Sequence, residues 1–295
     1  MPRFDAWPPL PLDEWEDTYR TLHMWLQVVG KIRMTLSPPL NHWWHVTLYP
    51  TARGLTTSPI PWSTGAFEIQ FDFLDHRLVI DTCDGARLLL PLEPEPVAAF
   101  YGKLMESLRS LGITVSINTK PQEVASPVPF DQDLRPGAYD RDAVQRLGRI
   151  LLSTAEVLQE FRGRFIGKSS PVHFFWGSFD LACTRFSGRP APPRKGVITA
   201  PAYSHEVISA GFWPGGGVVD GPAFYSYTAP QPAGIEDEPV APAAAAWNRQ
   251  LSEYILMYDE VRRAESPREA LLDFLETTYQ AGAKRANWDR KALEA

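Results

Sequence analysis

The sequence predicts an α+β protein made of two pseudo-equivalent halves, each a helix, four antiparallel strands and a closing helix. Three observations carry that expectation. Apolar stripes at helical spacing bracket clusters of short strand-like runs. The 28 prolines, about twice the usual frequency, sit between those runs as fixed turns. Two stretches also resemble each other: NHWWHVTLYPTARG at 41–54 and PVHFFWGSFDLACTRFSG at 171–188, each following a helical segment that closes in Gly-Lys. Side by side, His42 falls on His173, Trp43 and Trp44 on Phe174 and Phe175, and Thr47 on Ser178; one residue of slack brings Arg53 onto Arg185.

In order, Asp13 and Glu16 have capping-box spacing ahead of the stripe Trp15, Tyr19, Leu22, Leu26, Val29, and Gly30 is expected to end that helix. Strands are expected at Trp43–Thr51, Phe67–Phe73 and Leu78–Asp81. Asp84-Gly85 then turns the chain into a strand at Arg87–Leu92. Pro96 opens a helix with Val97, Phe100, Leu104, Leu108 and Leu111 on one face, and Ile113–Ile117 alternates as a short closing strand. The first half spans residues 1–120, a proline-rich linker 121–139, and the second half 140–295. In the second half, Asp140 caps a long helix and Pro171–Gly188 forms the longest strand. Further strands are expected at Tyr203–Trp213, Ala223–Thr228 and Tyr254–Tyr258. Ser266-Pro267-Arg268-Glu269 caps the last helix, which Gly282 is expected to end. The halves are expected to pack as one unit.

A net charge of −6 argues against nucleic acid and anionic membrane surfaces as partners, and no run of 18 apolar residues exists. The N-terminus shows no apolar signal region, and two cysteines make no disulfide framework, so a cytoplasmic setting is expected. Familiar motifs fail. Gly163–Ser169 is one residue short of a phosphate loop and follows a helix, and no G-x-S-x-G elbow, zinc-spaced cysteine pair or H-E-x-x-H occurs. His42-x-x-His45, with His173, His205 and Glu206, is a weak metal pattern. Residues three apart on a strand point to opposite faces, so no metal site is expected unless His42 lies in the preceding loop.

What remains is a constellation. If 43–51 is a strand, Trp43, His45, Thr47 and Tyr49 share a face. If 171–188 is one strand, Trp176, Ser178 and Asp180 share another, while His205, Ser209 and Trp213 share a third. His45, His205 and Asp180 are therefore the candidates for proton transfer. Arg53 and Arg185 would bind an anionic group, and Trp43, Trp176, Ser178 and Trp213 would line the site. His42 and His173 are expected to cap strand starts by hydrogen bonding.

NHWWHVTLYPTARGLTTSPIP, PVHFFWGSFDLACTRFSGR and SHEVISAGFWPGG together resemble an uncharacterised bacterial family of unknown function, over Trp7 to Trp288. That resemblance implies a soluble bacterial protein and brings no activity, cofactor or catalytic residue with it. Three functions are therefore open: an enzyme acting on a small polar or anionic molecule in a His/Arg/Trp-lined cleft between the halves, a non-catalytic small-molecule binder, and an interaction or scaffolding protein. The identity of any cofactor is unknown.

Overall fold

A computed structural model describes residues 5–63 and 65–295. Helix α1 (Leu12–Leu36) opens the chain, and its first turn holds Asp13 and Glu14. No side chain caps it, so Asp13 acts inside the first turn, where a carboxylate suits the helix dipole. Six strands follow: β1 (Tyr49–Thr51), β2 (Gly54–Thr56), β3 (Ile60–Trp62), β4 (Gly65–Asp72), β5 (Arg77–Thr82) and β6 (Arg87–Pro91). They form an antiparallel sheet in the order β1-β2-β4-β5-β6, with β3 also paired to β4. Phe67, Ile69 and Phe71 of β4 are buried and Glu68 and Gln70 between them are half-buried, the period-2 alternation of a one-sided sheet.

Helix α2 (Val97–Ser110) ends at Gly112, whose φ of +75° suits glycine. Ile113–Ile117 is not the expected strand. Ile113 and Ile117 are buried, but the segment joins no ladder, because alternation reports burial and not a hydrogen-bonding neighbour. Helix α3 (Arg141–Gly163) starts at Asp140, whose carboxylate accepts from the Asp142 and Ala143 amides as a true N-cap.

The second sheet holds β7 (His173–Phe175), β8 (Asp180–Pro190), β9 (His205–Trp213, after the short α4 at Thr199–Ala202), β10 (Ala223–Ala229), β11 (Ala246–Asn248) and β12 (Glu253–Met257). All pairings are antiparallel, in the order β11-β12-β10-β9-β8-β7. Helices α5 (Tyr258–Arg262), α6 (Pro267–Arg285) and α7 (Arg290–Leu293) close the chain, with Ser266 capping α6 and Pro267 at its start. The two sheets meet where Leu48 and Phe174 exchange backbone hydrogen bonds of 2.9 and 2.7 Å. One apolar core runs from α1 and α2 through α3 to α6 and the inner sheet faces. Among the described residues, no helix is long and apolar enough to cross a membrane.

Two expected helix ends prove to be packing glycines. Helix α1 continues past Gly30 to Leu36, and a Cβ on Gly30 would overlap the Trp176 indole. Helix α6 continues past Gly282, where a Cβ would overlap Thr228 Oγ1. In both places the missing side chain admits a neighbour and does not stop the helix. Gly30→Ala should therefore destabilise the protein by about 1–3 kcal/mol, the usual cost of overpacking, although alanine favours helix by about 1 kcal/mol. Urea unfolding checks this; an unchanged midpoint would mean that Trp176 can move off the helix.

Candidate functional site

The long strand expected at 171–188 is a hairpin. Trp176–Phe179 forms its turn, with Phe179 at φ +58°. Trp176, Ser178 and Asp180 therefore share no strand face. Trp176 turns into the core, 5% exposed, with Nε1 donating to the Val46 carbonyl at 2.8 Å. Asp180 begins β8 on the face of the second sheet turned away from α3 and α6.

Register places the rest. Leu181 pairs with Phe212, so Asp180 stands beside Trp213; Ala182 pairs with Gly211, and Tyr225 with that same glycine. A Cβ on Gly211 would overlap the Leu181 carbonyl, and the Tyr225 ring lies against the same position. The bare strand surface thus lets Tyr225 lie flat and donate its hydroxyl to Asp180 Oδ2, while Ser178 donates to Oδ1. The next row carries Thr184, Ser209 and Tyr227. Thr184 Oγ1 and Ser209 Oγ are 2.8 Å apart, and the Tyr227 and Tyr203 hydroxyls 3.0 Å. Glu253 joins from β12. The result is a sheet face floored with hydroxyls and the Asp180 and Glu253 carboxyls and walled by Trp213 and Tyr19, with Glu123, beside Gly177, a third carboxyl raised by burial and then by the Asp180 charge.

Electrostatics set this face apart. Burial raises the Asp180 carboxyl, partly offset by the Ser178 and Tyr225 hydroxyls. Burial, and then the charge of Asp180, push Glu253 up to about 7. Burial lifts the Tyr225 and Tyr227 phenols well above their ordinary range, and Tyr19 to about 12. Among the described residues, no lysine or arginine acts on either carboxyl. Glu253 therefore titrates near neutrality beside a buried carboxyl that two hydroxyls hold in place.

The expected strand at 43–51 is also different. Residues 41–43 form a 3-10 turn with His42 and Trp43 at φ +55° and +63°, and regular strand begins only at Tyr49. The aromatic run resembled a strand by composition, yet hydrogen bonds to distant carbonyls hold it in a strained turn. His42 Nδ1 meets the Ala202 carbonyl at 3.2 Å, and Trp43 Nε1 donates to the Ile198 carbonyl at 3.1 Å. The Trp43 ring stacks on His45 at 5.4 Å, and His45 Nδ1 accepts from the Leu40 amide. His205 begins β9, its ring 5.9 Å from that of His42.

The candidate residues therefore fall into two groups. Asp180, Ser178 and Trp213 stand together at one end of the second sheet; His205, Trp43 and His45 gather at the other. Asp180 and His205 mark opposite ends of β9, roughly 26 Å apart at the usual strand rise, so they share no reacting centre. The two arginines join neither group. Arg53 pairs with Asp72 at 2.6 Å and Asp75 at 2.8 Å in the first sheet. Arg185 faces the helices, 1% exposed, with the Phe161 and Tyr279 rings 3.4 and 4.3 Å from its guanidinium. Its neighbour Thr184 takes the outer face, so one residue of register decides the difference. His173 does not cap a strand: it is fully buried and neither ring nitrogen has a partner among the described residues.

Sequence reasoning passed over Tyr225, Tyr227 and Glu253. The alternation in AFYSYT at 223–228 signalled two tyrosines on one face, but only strand order puts that face opposite Asp180. Among the described residues, no group of three His, Cys, Asp or Glu is placed to hold a metal ion. Cavities of about 120 Å³ beside Arg194 and Tyr203 and about 150 Å³ beside Glu206 and Trp288 lie near Pro230 at the end of β10, away from Asp180.

The profile of a family of unknown function (DUF5996) matches residues 7–295. No curated protein and no solved structure matches the chain.

Proposed function

We propose that this chain, which belongs to the DUF5996 family of unknown function, binds a small neutral, hydroxyl-rich molecule on the outer face of its second sheet and acts on it by general acid–base catalysis. The observation that carries this reading is the Asp180–Glu253 pair, two carboxyls on one hydroxyl-lined face, where the Asp180 charge raises Glu253 and no lysine or arginine among the described residues acts on either. Asp180, accepting from Ser178 and Tyr225, is the carboxylate that takes a proton. Glu253, protonated up to about pH 7, is the donor. Tyr225, Tyr227, Ser209 and Thr184 supply hydroxyls that exchange hydrogen bonds with those of a ligand, and Trp213 supplies a flat wall. Unpaired carboxyls disfavour an anion here, which narrows the polar-or-anionic expectation to the polar half. A cytoplasmic setting suits the two free cysteines, Cys83 and Cys183.

A thermal-shift screen tests this with neutral polyols and sugars, organic acids, sugar phosphates and amines in parallel. Binding to the folded state alone stabilises by roughly 2.7 kcal/mol at a hundredfold excess over Kd. A shift with a neutral hydroxylated compound, lost in Asp180→Asn, is the expected result. Shifts confined to anions, or unchanged in that variant, would remove the site from Asp180.

A second reading, a protein-interaction role, draws on the apolar side chains exposed around the Trp43 turn: Leu40 is 56% exposed and Val197 83%. It predicts a partner and no small-molecule shift.

A further inference from the structure

The second group of candidate residues has chemistry of its own, independent of Asp180. The turn holding His42 in the left-handed region aims its ring at the second sheet, between the Ala202 carbonyl and Lys168. A carbonyl only accepts, so Nδ1 carries the proton. Nε2 then accepts from the Lys168 ammonium at 2.7 Å. The histidine is neutral, in one tautomer, and it spends only one of the three N–H groups of the lysine.

Lys168 has no carboxylate partner among the described residues; its Nζ lies 5.3 Å from the Trp44 ring and 4.8 Å from that of Phe186. Ring faces are a weak substitute for a counter-ion. His205 stands edge-on to His42, with Nδ1 against Ser204 Oγ at 3.1 Å and no hydrogen-bond partner for Nε2 among the described residues. The adjoining segment, residues 189–201 from the end of β8 into α4, carries Arg189, Arg194 and Lys195 and no acid. Arg189 is engaged by Glu206 at 2.7 Å, whereas Arg194 only stacks on Tyr203 at 4.1 Å. In a chain of net charge −6 this corner gathers unneutralised cations and an imidazole nitrogen that becomes a donor when it is protonated.

We propose that Lys168 and His205, with His42 orienting the lysine, form a binding site for a small oxyanion, the phosphoryl or carboxylate group of a ligand. Point donors on two different side chains suit an anion with several oxygens, and the exposed Lys168 lies over the Trp44 and Phe186 rings with its ammonium open to a ligand. His42 acts through Lys168 and is a positioning residue. Its imidazole is held below the usual range by burial and by the neighbouring Lys168 and His205, a repulsion that a bound anion relieves.

Calorimetric titration of the purified chain with inorganic phosphate, and separately with acetate, at constant ionic strength tests the proposal. Saturable binding of either anion is expected; phosphate binding tighter assigns a phosphoryl group, acetate binding tighter a carboxylate. Lys168→Met, which keeps the stem over the rings, should weaken binding at least tenfold, and His205→Ala should weaken it with the melting temperature kept. The His42 ring nitrogen resonances should also move on titration in the unaltered protein. Absence of saturation with both anions up to 50 mM, or equal affinity in both variants, would overturn it.

Discussion

Replacing His173 by phenylalanine should remove a large share of the acid lability of this fold. His173 is fully buried, has rings on three sides (Trp44, Tyr49 and Phe175), and its two nitrogens have no partner among the described residues. Burial alone lowers its imidazole from the usual 6.5 to about 3. In the unfolded chain that ring takes up a proton near pH 6.5, and in the folded chain only near pH 3. Between those values the unfolded state binds the extra proton, so stability falls as the pH falls. The stabilisation is fully present above pH 6.5, and about 5 kcal/mol of it is lost by pH 3, a large part of the margin of an ordinary domain. Phenylalanine keeps the packing and removes both unsatisfied nitrogens, so stability at pH 7 should hold or rise. Urea midpoints at pH 7.5, 5.5 and 4 measure the slope. A His173→Phe profile as steep as that of the parent would show that the ring is reached by water in the folded state.

Glu253 works in the opposite direction. Its carboxyl is raised from 4.5 to about 7, so the folded state keeps a proton that the unfolded state has released. Stability from this group is fully present below pH 4.5 and is lost as the pH rises through 7, by roughly 3 kcal/mol. Glu253→Gln should therefore be more stable than the parent at pH 8, with the difference vanishing near pH 4.5. Asp180→Asn should have a double effect. It removes the charge that helps to raise Glu253, so the remaining carboxyl titrates lower, which carboxyl ¹³C chemical shifts would follow. It also removes the proposed proton acceptor, which should cost turnover of the ligand found by screening about 10²- to 10⁴-fold. If Glu253 titrates unchanged in Asp180→Asn, the two carboxyls are not coupled and the acid–base pairing fails.

Local signals made much of the architecture legible. The stripe from Val97 to Leu108, the caps at Asp140 and Ser266-Pro267, the alternation in β4 and the turn at Asp84-Gly85 each act over a few residues, and each stands where the sequence placed it. What misled were residues whose meaning depends on a distant partner. Gly30 and Gly282 looked like helix ends because glycine is common there, but Trp176 and Thr228 use the missing side chains. The aromatic runs at 41–48 and 173–179 looked like continuous strands, yet each contains left-handed residues, His42, Trp43 and Phe179, held by long-range contacts, that of Phe179 being with Tyr19.

The sequence by itself determined the α+β class, the antiparallel strands and most of the helices, because patterning at periods of 3.6 and 2 acts locally. It also singled out Asp180, Trp213, His205 and Trp43 as side chains needing an explanation. Only the tertiary structure decided which of them meet. Strand order β12-β10-β9-β8 puts Glu253, Tyr225 and Asp180 on one face; register turns Arg185 inward beside an outward Thr184, and the length of β9 holds His205 away from Asp180. Those relations lie between segments far apart in the chain, so no window of sequence contains them, and a shift of one residue would reverse every face.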